Sequence, residues 1–95
     1  MSYEIVLQAR TKRAIDRAAG WYHKDNPQAA RKFFVAVDQA IQRVAENPGL
    51  YPITKKEQRR AVVTGFPYSL LYRVHVRVVV FTSCVHFSRD PRHWR

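Results

Sequence analysis

The sequence predicts an α+β fold in which an N-terminal strand and an antiparallel helical hairpin pack on a mainly antiparallel four-stranded sheet. Residues 59–87 contain three runs of β-branched and aromatic residues separated by turn signals, which is typical of consecutive antiparallel strands. Between residues 11 and 46 apolar residues recur every three or four positions, the pattern of amphipathic helices. Residues 3–7 have strand composition, and we expect this lone strand to form an edge of the C-terminal sheet.

Two helices are predicted between the first strand and the sheet. The first extends from about Thr11, a candidate N-cap, to Lys24. The second begins at Asn26-Pro27, because asparagine caps helices and proline is tolerated in the first turn, and it ends at residues 47–49. Helices joined by so short a turn lie antiparallel, and their apolar faces need a sheet to cover them. Those apolar positions are Ala14, Ile15, Ala18, Ala19 and Tyr22 in the first helix, and Ala30, Phe33, Phe34, Val37, Ile41 and Val44 in the second.

Alternation along the last strand assigns its side chains to the two faces of the sheet. The bulkier set, predicted to face the helices, is Val79, Phe81, Ser83, Val85 and Phe87, and the other set is Val78, Val80, Thr82, Cys84 and His86. The core side of the middle strand is predicted to consist of Leu70, Tyr72 and Val74. Ser69 and Arg73 then share the open side of the sheet with His86.

Length and composition indicate a single domain over residues 1–95, with an adequate but not large core. The one cysteine, Cys84, cannot form an internal disulfide, and we expect it to be buried and inert. No apolar stretch reaches the roughly 18 residues that a membrane span needs, and the N-terminus lacks the residue order of a signal peptide. We therefore expect a soluble, cytoplasmic protein without a membrane partner.

Positive charge dominates the composition. The chain carries 17 Lys and Arg against 7 Asp and Glu, a net charge of +10, and residues 55–95 hold nine basic and two acidic groups. Such a field attracts phosphates or an acidic protein; the alternative is a basic surface that merely keeps a small protein soluble. No phosphate loop, zinc-ligand spacing or nucleotide fingerprint is present, so neither a metal nor a cofactor is predicted.

Three short motifs carry a family resemblance. They are Phe66-Pro67-Tyr68, Leu71-Tyr72-Arg73-Val74 and the terminal His86…Arg89-Asp90-Pro91…Trp94. Together with the order of elements, they resemble the RelE/ParE superfamily of bacterial toxins from type II toxin–antitoxin systems. The resemblance covers nearly the whole chain and favours the ParE-like, plasmid-stabilisation branch over the RelE-like branch.

The resemblance implies two different mechanisms, so it leaves open whether the chain is an enzyme. RelE-like members resemble small ribonucleases that cut mRNA in the ribosomal A site with basic residues and a C-terminal proton-transfer group. ParE-like members are described as poisoning DNA gyrase by binding. RelE-like ribonucleases typically carry an arginine just before a Leu-Val-Tyr run in the middle strand, where this chain has Ser69. That departure removes the expected phosphate ligand and favours the binding mechanism.

Candidate catalytic residues can nevertheless be named for the ribonuclease alternative. RNA cleavage needs a base, an acid and a cation near the developing phosphorane charge. His86 could serve as the base or acid, or it could simply hydrogen-bond the tail, because its pKa near neutrality permits either role. The cation would come from Arg73, Arg60 or Arg89.

The same surface is predicted to bind the cellular target. The predicted target-binding residues are Arg60, Arg73, His86, Arg89, Arg92 and Trp94. For Arg89 the competing interpretation is a local ion-paired turn with Asp90, and Trp94 either covers the end of the sheet, which we favour, or stacks on a nucleobase. Trp21 lies off the apolar stripe of its helix and is predicted to be an exposed anchor for a partner.

The sequence thus predicts a toxin that inhibits bacterial growth by binding DNA gyrase and is neutralised by a cognate antitoxin. The alternative is a ribosome-dependent mRNA endonuclease, whose partners would be the ribosome and mRNA. A third hypothesis is a degenerate toxin that acts only as a partner in transcriptional autoregulation. Operator DNA is expected to be contacted only through the antitoxin.

Overall fold

The computed structural model describes residues 3–87 and confirms the predicted α+β fold. The elements are β1 (Glu4–Leu7), α1 (Ala9–Asp25), α2 (Pro27–Glu46), a short 3-10 helix (Pro48–Leu50), β2 (Arg59–Val63), β3 (Tyr68–His75) and β4 (Val78–His86). None of the helices in this range is long and apolar enough to cross a membrane.

The helical hairpin begins and ends largely where the sequence predicts. The Asn26 side chain accepts a 2.9 Å hydrogen bond from the backbone N–H of Gln28, so it caps α2 as expected, with Pro27 in the first turn. The prediction that Thr11 caps α1 is wrong, because the helix begins two residues earlier. Thr11 is instead fully buried, and its hydroxyl donates a 2.8 Å hydrogen bond to the carbonyl of Phe81 on β4.

The four strands form one sheet in the order β1-β4-β3-β2. β1 pairs in parallel with β4, while β2 with β3 and β3 with β4 pair antiparallel. The N-terminal strand is therefore an edge strand, as predicted, and β2 forms the other edge.

The core lies between the helical hairpin and one face of the sheet, which we call the helix face. Its largest fully buried members are Tyr72, Phe33, Phe81 and Leu70. Tyr22 of α1 and Tyr68 of β3 both pack against Phe33, with ring centroids 5.4 and 5.3 Å away. Phe34 is an exception to the predicted stripe, since 44% of its surface is exposed.

A β-bulge at Thr82 reverses the side-chain alternation of β4. Tyr72 pairs with Phe81 whereas Leu71 pairs with Ser83, so Thr82 has no partner across the ladder. Cys84 consequently joins the core, and His86 lies opposite Tyr68 on the helix face. The predicted placement of both side chains on the open side is therefore wrong, as is the placement of Ser83, Val85 and Phe87 against the helices.

Contacts from distant parts of the chain hold the bulge. The Arg10 Nε atom donates a 2.8 Å hydrogen bond to the carbonyl of Thr82. The Thr82 hydroxyl donates to the side-chain oxygen of Gln58 in the loop before β2. The first bond satisfies the backbone carbonyl of the bulged residue, and the second ties its side chain to the loop before β2.

The segment before β2 folds back on itself. Arg60 N–H donates to the Pro52 carbonyl at 3.0 Å, and Ile53 forms a bridge with Arg59. The tip of this small hairpin places Lys56 and Glu57 at φ angles of 56° and 61°, in the left-handed region that glycine and asparagine prefer. Each such residue costs on the order of 1–2 kcal/mol.

Candidate functional site

Arg60 and Arg73 lie together on the face of the sheet opposite the helices, which we call the opposite face. Arg60 of β2 pairs with Leu71 of β3, and Arg73 follows two residues later on the same side. This diagonal arrangement separates two Cα atoms by roughly 7–8 Å. Arg60 is half-buried with its guanidinium carbon 6.0 Å from the ring centroid of Phe87, while Arg73 is exposed.

His86 lies on the other side of the sheet from these two arginines. Its ring meets that of Tyr68 edge-on, with centroids 5.0 Å apart and an interplanar angle of 88°. Side chains on opposite faces of a sheet diverge. The structure therefore brings Arg60 and Arg73 together but does not bring His86 to them, contrary to the prediction.

His86 instead borders a groove beside Trp21. The groove has a volume of about 680 Å³. Its lining consists of Ala14, Arg17, Ala18, Gly20, Trp21 and Lys24 of α1 together with Tyr68, Cys84, Val85 and His86 of the sheet. Trp21 is 52% exposed, as its position off the apolar stripe predicts, and the Lys24 Nζ atom lies 5.9 Å from its ring centroid.

Arg17 and Lys24 are groove residues that the sequence analysis did not single out. They lie four residues before and three residues after Trp21, so one helix face presents all three side chains. That spacing was visible in the sequence. The contribution of the sheet to the groove was not, because it depends on the bulge.

Ser69 occupies a closed position on the opposite face. Only 1% of its surface is exposed, and its hydroxyl has no hydrogen-bond partner among residues 3–87. It lies in the ladder between Val62 of β2 and Val85 of β4. The Ser69 hydroxyl is therefore inaccessible to a phosphate group.

Burial also makes the one thiol unreactive. It raises the pKa of Cys84 from 9.0 to about 12, so the thiol stays protonated near neutral pH. Burial likewise raises the pKa of Tyr72 to about 12, in spite of the opposing charge of Arg59. Neither group can act as an anionic nucleophile or base under physiological conditions.

A basic cavity at the far end of the sheet was also missed by the sequence analysis. It measures about 610 Å³ and lies beside the tip of the β3–β4 hairpin. We call it the hairpin-end cavity, and its lining is Ile53, Lys56, Glu57, Arg59, Arg73, Val74 and His75. Of these residues only Arg73 was a predicted site residue.

The remaining predicted residues, Arg89, Arg92 and Trp94, lie outside the described residues. Within residues 3–87 no group of three or more His, Cys, Asp or Glu side chains is placed to hold a metal ion.

Comparisons with known proteins agree with this architecture. Residues 5–91 match the family model for the ParE toxin of type II toxin–antitoxin systems, parDE. The fold is similar to that of a chain in the chromosomal ParDE system of P. aeruginosa, with a TM-score of 0.76 and 12% sequence identity over 90% of this chain and 96% of that one. None of the curated proteins compared with the chain matches it.

A second similar fold comes from the RelBE2 toxin–antitoxin complex of Mycobacterium tuberculosis. Its TM-score is 0.61 and its sequence identity 21%, over 90% of this chain and 99% of that chain. At these identities both likenesses concern the fold alone.

The fold and the extent of the family match define a toxin of a type II toxin–antitoxin system, within the RelE/ParE superfamily. More narrowly, the chain belongs to the ParE toxin family.

Proposed function

We propose that this toxin acts in the bacterial cytoplasm by binding and poisoning DNA gyrase, and that a cognate antitoxin neutralises it. The observation that carries this choice is the separation of His86 from Arg60 and Arg73 by the sheet. Cleavage of RNA by its 2′-hydroxyl requires proton-transfer groups and a cation around one phosphate. His86 lies on the other face from both arginines and pairs with Tyr68, at the other end of β3 from Arg73, so these three side chains do not reach a common phosphate.

The burial of Ser69 supports the same proposal. A ribonuclease of this superfamily is expected to place a phosphate-binding arginine at this position. Here the position holds a small side chain that is 1% exposed. The cations of the opposite face, Arg60 and Arg73, then serve to contact the target.

The groove beside Trp21 is the proposed docking site for the antitoxin. Small residues of α1 form its apolar floor, while Arg17 and Lys24 place positive charge near an exposed indole ring. An amphipathic acidic peptide fits this combination, with an apolar side chain against Trp21 and carboxylates near the cations. Operator DNA would be contacted through such an antitoxin.

The competing hypothesis is a ribosome-dependent mRNA endonuclease. One observation favours it, namely that Arg60 and Arg73 are neighbours on a single face and could share an RNA phosphate. Proton transfer would then fall to groups other than His86, such as Glu57 and His75, which line the hairpin-end cavity together with Arg73.

Two assays separate these hypotheses. Purified toxin should inhibit gyrase supercoiling or trap cleaved DNA, while primer extension on mRNA from a translation reaction shows no toxin-dependent ends. His86→Ala should weaken gyrase inhibition only modestly, whereas loss of a general acid or base costs about 10²–10⁴-fold in rate. His23→Ala, an exposed histidine of α1, serves as the matched control.

Codon-phased mRNA cuts that His86→Ala abolishes, with supercoiling unaffected, would overturn the proposal in favour of the endonuclease. Normal growth of cells that express the folded toxin at a high level without antitoxin would favour the degenerate toxin instead.

A further inference from the structure

We propose that the hairpin-end cavity binds the phosphate backbone of duplex DNA. The inference rests on the proposed function, since gyrase holds duplex DNA, and it assigns a DNA-facing surface at the end of the sheet remote from His86. The cavity forms because β3 extends past β2. Arg73, Val74 and His75 pair only with β4, and the hairpin that precedes β2 lies beside them.

The cavity concentrates positive charge. Among the described residues, three permanent cations, Lys56, Arg59 and Arg73, line it against a single carboxylate, that of Glu57. Two more cations, Lys55 and Arg77, lie on the adjoining turns, and Glu4 on β1 is the nearest further acid in the ladder. A recess that carries charge of one sign focuses the field on an incoming anion.

Arg59 is held in place by the backbone. Its Nη1 atom donates to the carbonyl of Tyr51 at 2.5 Å and to that of Gly49 at 3.4 Å. A guanidinium has five N–H donors in a planar fork, so two backbone contacts leave donors for a bidentate phosphate. Because the side chain is already fixed, little conformational entropy remains to be lost when an anion binds.

Lys56 and Arg73 supply two further cations to the cavity. Within residues 3–87 neither side chain takes part in an ion pair or a side-chain hydrogen bond. Lys56 also occupies a left-handed turn position where glycine or asparagine would be less strained. Strained backbone of this kind clusters at binding sites, where the side chain is needed for contact.

The composition of the lining favours a phosphate backbone over an acidic peptide. Ile53 and Val74 are the only apolar members among residues 3–87, so this lining lacks the apolar floor that the groove beside Trp21 offers to a peptide. Two of its three permanent cations are arginines, whose planar fork matches phosphate oxygens. A DNA backbone presents such oxygens in a regular row without requiring apolar contacts.

The test uses the purified full chain and a short fluorescein-labelled DNA duplex in a fluorescence anisotropy titration at several salt concentrations. The double variant Lys56→Gln/Arg73→Gln should bind about tenfold more weakly, and the slope of log K against log salt should fall by about 2, one for each lost phosphate contact. The matched control is Arg31→Gln/Lys32→Gln, which removes the same charge from exposed positions of α2. It should bind DNA nearly as well as the parent.

Equal losses of DNA affinity in the two double variants would show that DNA binding depends only on the net charge of the protein, and this result would overturn the inference. Tighter binding to polyglutamate, or to an RNA duplex of the same sequence, would also overturn it. The supercoiling assay is independent of this titration. DNA binding that depends on the cavity, without any effect on gyrase, would overturn the proposed function but not this inference. Gyrase inhibition without cavity-dependent DNA binding would overturn this inference but not the proposed function.

Discussion

The hydroxyl of Tyr72 donates a 2.7 Å hydrogen bond to the backbone carbonyl of Pro48. Both groups are buried, and the bond ties the centre of β3 to the short helix that follows α2. It satisfies a carbonyl that has just left the regular helical pattern. Sheet and hairpin are therefore joined by a specific polar contact in addition to apolar packing.

Removal of this hydroxyl should destabilise the fold. Tyr72→Phe keeps the ring but leaves the Pro48 carbonyl buried without this partner, at a cost of about 1–3 kcal/mol. Urea denaturation followed by circular dichroism measures the change. Tyr51→Phe is the control, because Tyr51 is only half-buried and a loss of similar size there would point to a general effect of tyrosine removal.

Stability should decline in alkali because of Cys84 and Tyr72. Both pKa values are raised to about 12 in the folded protein, from 9.0 and 10.0. Between about pH 9 and pH 12 the unfolded chain has therefore lost protons that the folded chain retains. The contribution of these groups is complete below pH 9, and the free energy of unfolding falls as the pH rises toward 12.

Urea titrations at a series of pH values test this decline. Cys84→Ala should flatten the dependence that begins near pH 9, because the remaining Tyr72 hydroxyl ionises only about one unit higher in the unfolded chain. A thiol that reacts quickly with a disulfide reagent at pH 8 in the folded protein would contradict the assigned burial.

Ser69 should tolerate alanine but not arginine. Ser69→Ala removes a buried hydroxyl that has no hydrogen-bond partner in the described part of the chain, so we expect unchanged or slightly higher stability. Ser69→Arg places an unpaired charge in a position that is 1% exposed, at a cost of about 3–5 kcal/mol. Thermal melts of the two variants measure both effects, and a stable Ser69→Arg protein would show that the opposite face is more accessible than described.

Trp21 should matter for the antitoxin more than for folding. Trp21→Ala should weaken antitoxin binding by about 2 kcal/mol or more, the size typical of a tryptophan at the centre of an interface. Its melting temperature should stay close to that of the parent, because half of the ring is already exposed. Isothermal titration calorimetry with the antitoxin measures the loss.

Val35→Ala is the control for this prediction, since Val35 is 55% exposed on α2 and does not line the groove. An equal loss of antitoxin affinity in both variants would show that the antitoxin interface extends beyond the groove.

Local signals in the sequence were enough to predict the elements. Asn26-Pro27 predicts the start of the second helix, because side-chain capping and the fixed geometry of proline involve only neighbouring residues. The same is true of the β-branched runs that become β2, β3 and β4. Each of these features depends on residues that are close together in the sequence, so it can be recognised without knowledge of the tertiary structure.

The placement of His86 could not be predicted in this way. It depends on the bulge at Thr82, and the bulge is held by Arg10 and by Gln58, which are 72 and 24 residues away in the chain. Strict alternation along β4 gave no sign of the interruption. The hairpin-end cavity could not be predicted for a similar reason, because its cations come from the loop before β2, from β2 itself and from β3.

The parallel pairing of β1 with β4 has a consequence for how the cell makes this toxin. Ile5 pairs with Val79 and Leu7 with Phe81, so β1, which is synthesised first, cannot pair until β4 has been synthesised. A nascent chain that stops before residue 78 has no central strand on which β1 and β3 can both assemble. Fragments that end before residue 78 therefore cannot form this sheet, and the fold can be completed only after β4 has been synthesised.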